Sequence, residues 1–249
     1  MKFAFNFFVF LKENKFNLLD IIFPPSCIIC GKLNKNYICT KCEKRFEKFK
    51  KFNIIDNKKY IKDKFNIKYE NFKQNYYIVG DEKYYWEKLL YCFDYKSIVR
   101  KYLLKYKFND EAYLSNFFAN QILNNKKTYE ILKTYDIIIP VPMEKGKKLK
   151  RGYNQTELIT KIIEKNVEIT ELKVVEKIKK TNTQSLLSQE MRKLNVENAF
   201  CIKNENLVKN KNVIIFDDIY TTGATVNEIS KLLKNAKVNK ILVLVIAKD

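Results

Sequence analysis

The chain has 249 residues, of which 46% are hydrophobic and 31% charged, enough to build a real core for one large domain or one domain plus a small appendage. Its formal net charge of +20 points by itself toward nucleic acid or an anionic surface, but only four of its 48 basic residues are arginines, and Lys, Asn, Ile, Phe and Tyr dominate throughout as an AT-rich genome dictates. The charge alone therefore implies only a weak, salt-sensitive pull on nucleic acid, and the lack of any run of about 18 apolar residues argues against a membrane-spanning helix.

The opening MKFAFNFFVFL is apolar and carries no small-residue cleavage site, so it reads as a helix start or a weak membrane-surface contact. With no secretion signal read there, the cytoplasm is the expected compartment, and its six cysteines are expected reduced or metal-bound. After an apolar segment at 18–23 and Pro24-Pro25 come Cys27 and Cys30, then Cys39 and Cys42. Two C-x-x-C pairs with eight residues between them have the spacing of a compact tetrahedral zinc site. Each pair is expected on a tight turn, with Gly31 helping the first to close. Four thiolates fill the coordination sphere, so the metal is structural. Cys92 and Cys201 stand alone in apolar context and read as core fillers.

Residues 43–80 are rich in Lys, Asn, Phe and Tyr with little periodicity and read as a linker or insertion. Residues 76–95 read as strands around a Gly80-Asp81 turn. Helical spacing follows over 98–106 and again through KFNDEAYLSNFFANQILNN. Residues 137–141 form a buried strand ending in Pro140-Val141-Pro142. A lysine-rich loop, EKGKKLKRGYNQ, leads into a helix capped by Asn154 with Glu157 as its capping-box partner; Leu158, Ile159, Ile162 and Ile163 are its expected buried face. A strand is predicted over 172–178, a short helix within KTNTQSLLSQEMRKLNVENAF, and a last buried strand over 240–247. Strands alternating with helices argue for a mostly parallel α/β sheet from about residue 85 onward. The expected domains are an N-terminal helix and four-cysteine module over 1–50, a linker over 51–84 and an α/β domain over 85–249.

The most informative stretch is VIIFDDIYTTGATVNEISKLL, residues 213–233. A β-branched strand runs into Asp217 and Asp218, then into the turn Thr221-Thr222-Gly223-Ala224-Thr225, then into a helix marked by Val226, Ile229, Leu232 and Leu233. Backbone N–H groups at a helix start favour an anion. Gly223 permits a close approach, and the threonine hydroxyls can donate to phosphate oxygens. Two carboxylates at the strand's carboxyl end suit a pair of sugar hydroxyls, so the whole fits a phosphorylated sugar better than a bare phosphate. The plainer reading is a strand with a Thr-capped helix and surface aspartates. The stretch resembles the phosphoribosyl pyrophosphate (PRPP) loop of type I phosphoribosyltransferases.

LLDIIFPPSCIIC with the second C-x-x-C pair, LLKYKF, IIIPVPM, KLKRGYNQTELI, TQSLLSQEMRKLNVENAF and VIIFDDIYTTGAT, in this order, resemble the ComF-type competence proteins over nearly the whole chain outside 43–80. The resemblance implies a type I phosphoribosyltransferase-like, mostly parallel sheet flanked by helices, plus a small N-terminal zinc-binding module. It implies that Asp217 and Asp218 bind the ribose hydroxyls, that Thr221, Thr222, Gly223, Ala224 and Thr225 cradle the 5′-phosphate, and that Pro140, Val141, Pro142 and Met143 underlie the pyrophosphate. Mg²⁺ accompanies PRPP, held mostly by ligand and water. Lys147, Lys150 and Arg151 are the catalytic candidates, placed to neutralise the leaving pyrophosphate, against the plainer reading of a solvated basic loop. Gln184 and Arg192 also match family positions. Lys177 and Lys179 stand where the family often has arginine, which weakens the case for bidentate recognition there.

The implied function is PRPP binding in natural competence, with single-stranded DNA and competence or recombination proteins as partners. Two other readings stay open. One is an active phosphoribosyltransferase of nucleotide metabolism, in a chain without any histidine to serve as base. The other is a non-catalytic PRPP-binding regulator.

Overall fold

A computed structural model describes residues 24–35, 38–56, 77–79, 82–108, 111–179 and 189–249. The chain divides into two compact units, Met1–Phe49 and Lys50–Asp249.

In the small unit, a lone antiparallel bridge joins Ser26 to Leu33 around a turn where Gly31 takes φ of 70° and its N–H donates to the Cys27 carbonyl at 2.7 Å. The second cysteine pair does not sit on a tight turn as expected. Cys39 is the N-cap of helix α1 (Thr40–Glu47) and Cys42 lies in its first turn. A helix start brings residues three apart onto one face, which converges two thiols as well as a knuckle does. Ile38 and Phe46 are buried with Cys27 and Cys42.

The large unit is built on a six-stranded sheet. Its strands are β1 (Lys50–Asp56), β4 (Lys88–Asp94), β5 (Ile137–Pro140), β6 (Thr170–Glu171), β9 (Asn212–Tyr220) and β10 (Lys240–Lys248), in spatial order β1-β4-β10-β9-β5-β6. All neighbours are parallel except β1, which runs antiparallel to β4. β10 lies between two partners and is buried from Ile241 to Ala247, which is why it reads as an unbroken apolar run. Two small hairpins complete the strands: β2 (Tyr77–Val79) with β3 (Glu82–Tyr84), and β7 (Val175–Lys177) with β8 (Phe200–Ile202). The helices are α2 (Ser97–Phe108), α3 (Leu114–Leu123), α4 (Lys126–Leu132), α5 (Lys145–Arg151), α6 (Gln155–Asn166), α7 (Gln189–Val196) and α8 (Ala224–Asn235).

The chain leaves β5 toward β6 on one side and leaves β9 toward β10 on the other. The crevice between the carboxyl ends of β5 and β9 is therefore the topological switch point, where open α/β sheets bind ligands. The Val141 N–H donates to the Phe216 carbonyl at 2.9 Å and holds the two strand ends together.

The linker expected over 51–84 opens instead with β1. A bulge between Lys50 and Asn53, with Phe52 at φ of 42°, breaks the alternation that would have marked this edge strand. The lysine-rich stretch 145–151 is the helix α5, ended by Gly152 in the left-handed region, rather than a loop. The buried face of α6 is Thr156, Ile159, Thr160 and Ile163, with Leu158 and Ile162 only half-buried. Cys92 is fully buried as expected, while Cys201 is half-buried. The expected segments at 1–23 and 57–76, and Gln184, lie outside the described residues, as does the side chain of Arg192.

Candidate functional site

β9 carries four fully buried apolar residues, Val213 to Phe216, and continues through both aspartates to Tyr220. Alternation along the strand leaves Asp217 half-buried and turns Asp218 inward, where it is 3% exposed. The loop then reverses at Gly223, whose φ of 77° sets the N-cap of α8. A Cβ there would collide with the Tyr220 ring and hydroxyl, so glycine suits the position by conformation and by space. Tyr220 is held edge-on by Trp86 at 6.1 Å, which in turn meets Tyr84 at 5.7 Å. Thr221, Thr222, Ala224 and Thr225 are all half-buried around this helix start, and the Thr222 hydroxyl accepts from the Ala224 N–H at 3.4 Å.

Across the crevice, the RGYNQT segment braces the turn after β5. Asn154 donates to the Val141 carbonyl at 3.1 Å, and the Thr156 hydroxyl donates to the same oxygen at 2.8 Å. Asn154 also accepts from the Thr156 N–H at 3.3 Å and so caps α6. The Tyr153 hydroxyl donates to the Tyr106 carbonyl at 3.0 Å, and Tyr106 donates to the Gln155 carbonyl at 2.7 Å, tying α6 to α2. Val141 is buried, and Pro142 and Met143 are half-buried at the crevice floor.

These two sides meet at Asp218. One carboxylate oxygen pairs with Lys107 Nζ at 2.9 Å and the other accepts from Gln155 Nε2 at 2.9 Å. Gln155 accepts in turn from Arg151, whose guanidinium lies over the Phe108 ring at 5.3 Å. The Asp218 N–H donates to Asp217 Oδ1 at 2.8 Å. Burial, then the charge of Asp218, push the Asp217 carboxyl up to about 7. Burial opposes the Lys107 charge, but the pairing with Asp218 and the field of Asp217 outweigh it and raise the ammonium above the ordinary lysine range. The motifs LLKYKF, PVPM, RGYNQT and FDDIYTTGAT thus form one connected web.

The catalytic candidates separate. Arg151 joins the web through Gln155. Lys147 and Lys150 are exposed on α5, Lys147 within 3.9 Å of Glu144. Two residues of this neighbourhood were not singled out from the sequence, Lys107 and Gln155; Lys177, noted there as standing in place of a family arginine, lies here too. Lys177 is half-buried over the Phe200 ring at 5.7 Å; burial and then the charge of Lys147 hold it below the ordinary lysine range, while Glu144 and Asp217 act the other way. It therefore lies within electrostatic reach of the basic helix and of the acidic pair. A cavity of about 310 Å³ flanks the same loop on the other side, lined by Lys83, Tyr84, Asn227 and Lys231 with Thr222 and Gly223, and does not include the aspartates.

In the small unit the four Sγ atoms of Cys27, Cys30, Cys39 and Cys42 lie within 4.8 Å of one another, with Cys30 and Cys39 at 3.8 Å. Zinc–sulfur bonds of about 2.3 Å arranged tetrahedrally require sulfurs about 3.8 Å apart, so the donor set fits zinc. Burial opposes ionisation of Cys27, but N–H donors, Cys39 first, bring its thiol down to about 6. Burial, with the other three cysteines, pushes Cys42 up to about 12. Metal binding must displace its proton. Among the described residues no helix is long and apolar enough to cross a membrane.

Residues 153–249 match the phosphoribosyl transferase domain family, and residues 18–51 match the double zinc ribbon domain. The chain is 32% identical to Competence protein F of Haemophilus influenzae over 164 residues, 64% of this chain and 71% of that protein. It is 30% identical to the DNA utilization protein YhgH of Escherichia coli, covering 59% of this chain and 66% of that protein. It is 28% identical to Competence protein ComFC of Bacillus subtilis, covering 57% and 55%. With a phosphoribosyltransferase-type sheet, a zinc ribbon and these relatives, the chain belongs to the ComF family of competence proteins.

Proposed function

We propose that the crevice between β5 and β9 binds PRPP and that the chain uses this site in the uptake and handling of incoming DNA in the cytoplasm. The observation that carries the binding reading is the meeting of an acidic pair, a left-handed glycine at a helix start and a braced turn at the switch point. The 5′-phosphate takes the N-terminal turn of α8, with Thr221, Thr222 and Thr225 donating hydroxyl hydrogen bonds and Gly223 and Ala224 leaving room for close approach. The acidic pair receives the ribose. The pyrophosphate lies against Pro140 to Met143, with Arg151, Lys147, Lys150 and Lys177 supplying positive charge. Mg²⁺, carried in by the ligand's own oxygens and water, spreads the charge of the pyrophosphate. The role in DNA uptake rests on the names of the relatives, and the net charge of +20 favours contact with single-stranded DNA.

A second reading, transfer of the ribosyl group to an acceptor, is favoured by Arg151 in the web and by Lys177 within electrostatic reach of Lys147 and Asp217, cations that would stabilise a leaving pyrophosphate. The first test is calorimetric titration of the full chain with PRPP and Mg²⁺. One-site binding that Gly223→Val abolishes supports the site. Equal binding by that variant sinks it. Pyrophosphate release that depends on an added acceptor would establish the second reading.

A further inference from the structure

The stretch from Lys83 to Trp86, which joins β3 to β4, is fastened from behind to the glycine turn of the crevice, and at two points. The first is Asn227, in the first turn of α8. Its own N–H donates to the Gly223 carbonyl at 2.9 Å and closes that turn, while its side chain accepts from the Tyr85 N–H at 3.0 Å and donates to the Lys83 carbonyl at 2.7 Å. One carboxamide thus matches a donor and an acceptor two residues apart, through contacts that span 142 and 144 residues of sequence. The second is the ring series Tyr84, Trp86 and Tyr220, with edge-on pairs at 5.7 and 6.1 Å. Its last ring lies against Gly223, in the space that a Cβ would take. A left-handed glycine is the freest residue such a turn can have, and here it is covered by a ring that Trp86, itself 3% exposed, holds in place. A cavity of about 310 Å³ opens between Lys83, Tyr84 and Asn227, so the two fastenings are separate points and not one packed face.

We propose that Asn227, Tyr220 and Trp86 are positioning residues for the phosphate half of the crevice, holding the turn over Thr221 to Thr225 in its anion-binding form before the ligand arrives. The ordering of the turn is then settled in folding and does not have to be met at binding. The identity of the ligand rests on the PRPP reading. Trp86 is the chain's only tryptophan, so its emission reports on the turn directly.

The test uses the full chain, with PRPP and Mg²⁺ as the probe, followed by calorimetry and by Trp86 emission on the same samples. In the parent, the emission should change as PRPP is added, with the same midpoint as the heat, a response that a residue serving the fold alone would not give. Asn227→Ala should weaken PRPP by about 5- to 20-fold, since it removes two hydrogen bonds that order the turn, and Tyr220→Leu should weaken it by a similar factor and lose the emission response. Tyr220→Phe keeps the ring, and should bring back the response and an affinity within about threefold of the parent. Urea unfolding of each variant separates lost affinity from lost fold. Where Asn227→Ala is too unstable to titrate, the Tyr220 pair decides alone. Emission that stays still while the heat shows PRPP binding overturns the proposal and leaves the PRPP reading standing. Parent-like affinity in both Asn227→Ala and Tyr220→Leu overturns it as well. A parent that gives neither heat nor an emission change sinks the PRPP reading, and this proposal with it.

Discussion

Burial and the charge of Asp218 push the Asp217 carboxyl up to about 7 from an ordinary 3.8, and the direction of that displacement has a consequence for stability. The folded chain holds this proton more tightly than the unfolded chain does, so its contribution to stability falls as pH rises from about 4 to 7, and the full cost persists above that window. Asp217→Asn keeps an oxygen for the Asp218 N–H and discards the charge. It should therefore unfold at higher urea than the parent at pH 8, by roughly 1–2 kcal/mol once solvent screening at a half-buried group is allowed for. The gain should shrink as pH is lowered toward 4. Urea titrations at pH 8 and pH 5 check this, and an equal gain at both would mean that the carboxylate's charge is not what costs stability. At this scale the loop was legible because all its parts are contiguous: strand, acidic pair, glycine and helix fall within one window. Lys107 and Gln155 were not, because what distinguishes them is a meeting with Asp218 across the fold; the Gln155 contact spans 63 residues. In a chain with 48 basic residues, one half-buried lysine carries no local mark.

Helix α6 shows what the RGYNQT motif does as an element. Its cap, Asn154, is 2% exposed and serves two masters, accepting from the Thr156 N–H and donating to the Val141 carbonyl. The N-cap was readable from Asn154, but the capping box is not closed as expected: Glu157 accepts from the Asn154 side-chain amide at 3.3 Å, and the Asn154 oxygen takes the Thr156 N–H. The second role was not readable, because it depends on where the turn after β5 lies in space. Asn154→Ala should cost about 1–2 kcal/mol for the cap alone, and it also leaves the Val141 carbonyl, under the proposed pyrophosphate position, with the Thr156 hydroxyl but without the Asn154 amide. Both a lower melting temperature and weaker PRPP binding are expected, whereas Asn154→Asp, which still caps but cannot donate to Val141, should recover part of the stability and none of the affinity. Calorimetry on both variants separates the two roles; full affinity in Asn154→Asp would show that the brace is dispensable. Two other elements show why periodicity misled. α5 is KGKKLKR, with none of its residues buried, so it lacks the apolar stripe that betrays a helix and is fixed instead by Gly152 at its end and by Lys148 pairing with Glu157 at 2.9 Å. α4 was not expected from the sequence at all: Asn125 caps it, its side chain accepting from the Thr128 N–H at 2.9 Å, just where the helix predicted over residues 107–125 ends.

The molecule as a whole joins units of unequal means. The large unit buries a continuous sheet core, from Leu89 through Val213 and Ile215 to Val243 and Val245, and needs no metal to close it. The small unit buries only Ile38 and Phe46 among its described non-cysteine residues, alongside Cys27 and Cys42. Among these described residues the apolar burial is small, and the four cysteine sulfurs offer a zinc cross-link that adds folding free energy to it. That site was fully legible, since two C-x-x-C pairs declare their ligands by spacing alone. The stability of the two units should therefore part company when the metal is withdrawn. In the full chain, a strong chelator or Cys39→Ser should remove the zinc equivalent and open residues 1–49 to protease, while residues 50–249 stay resistant and bind PRPP within about threefold of the parent. Because zinc holds the four cysteines as thiolates and protons compete for the same sulfurs, the same opening should follow as pH is lowered, without chelator. Zinc analysis, limited proteolysis and a PRPP titration on one sample decide it. Zinc retained by Cys39→Ser would break the four-thiolate assignment, and loss of PRPP binding along with zinc would mean that the large unit does not hold the ligand by itself.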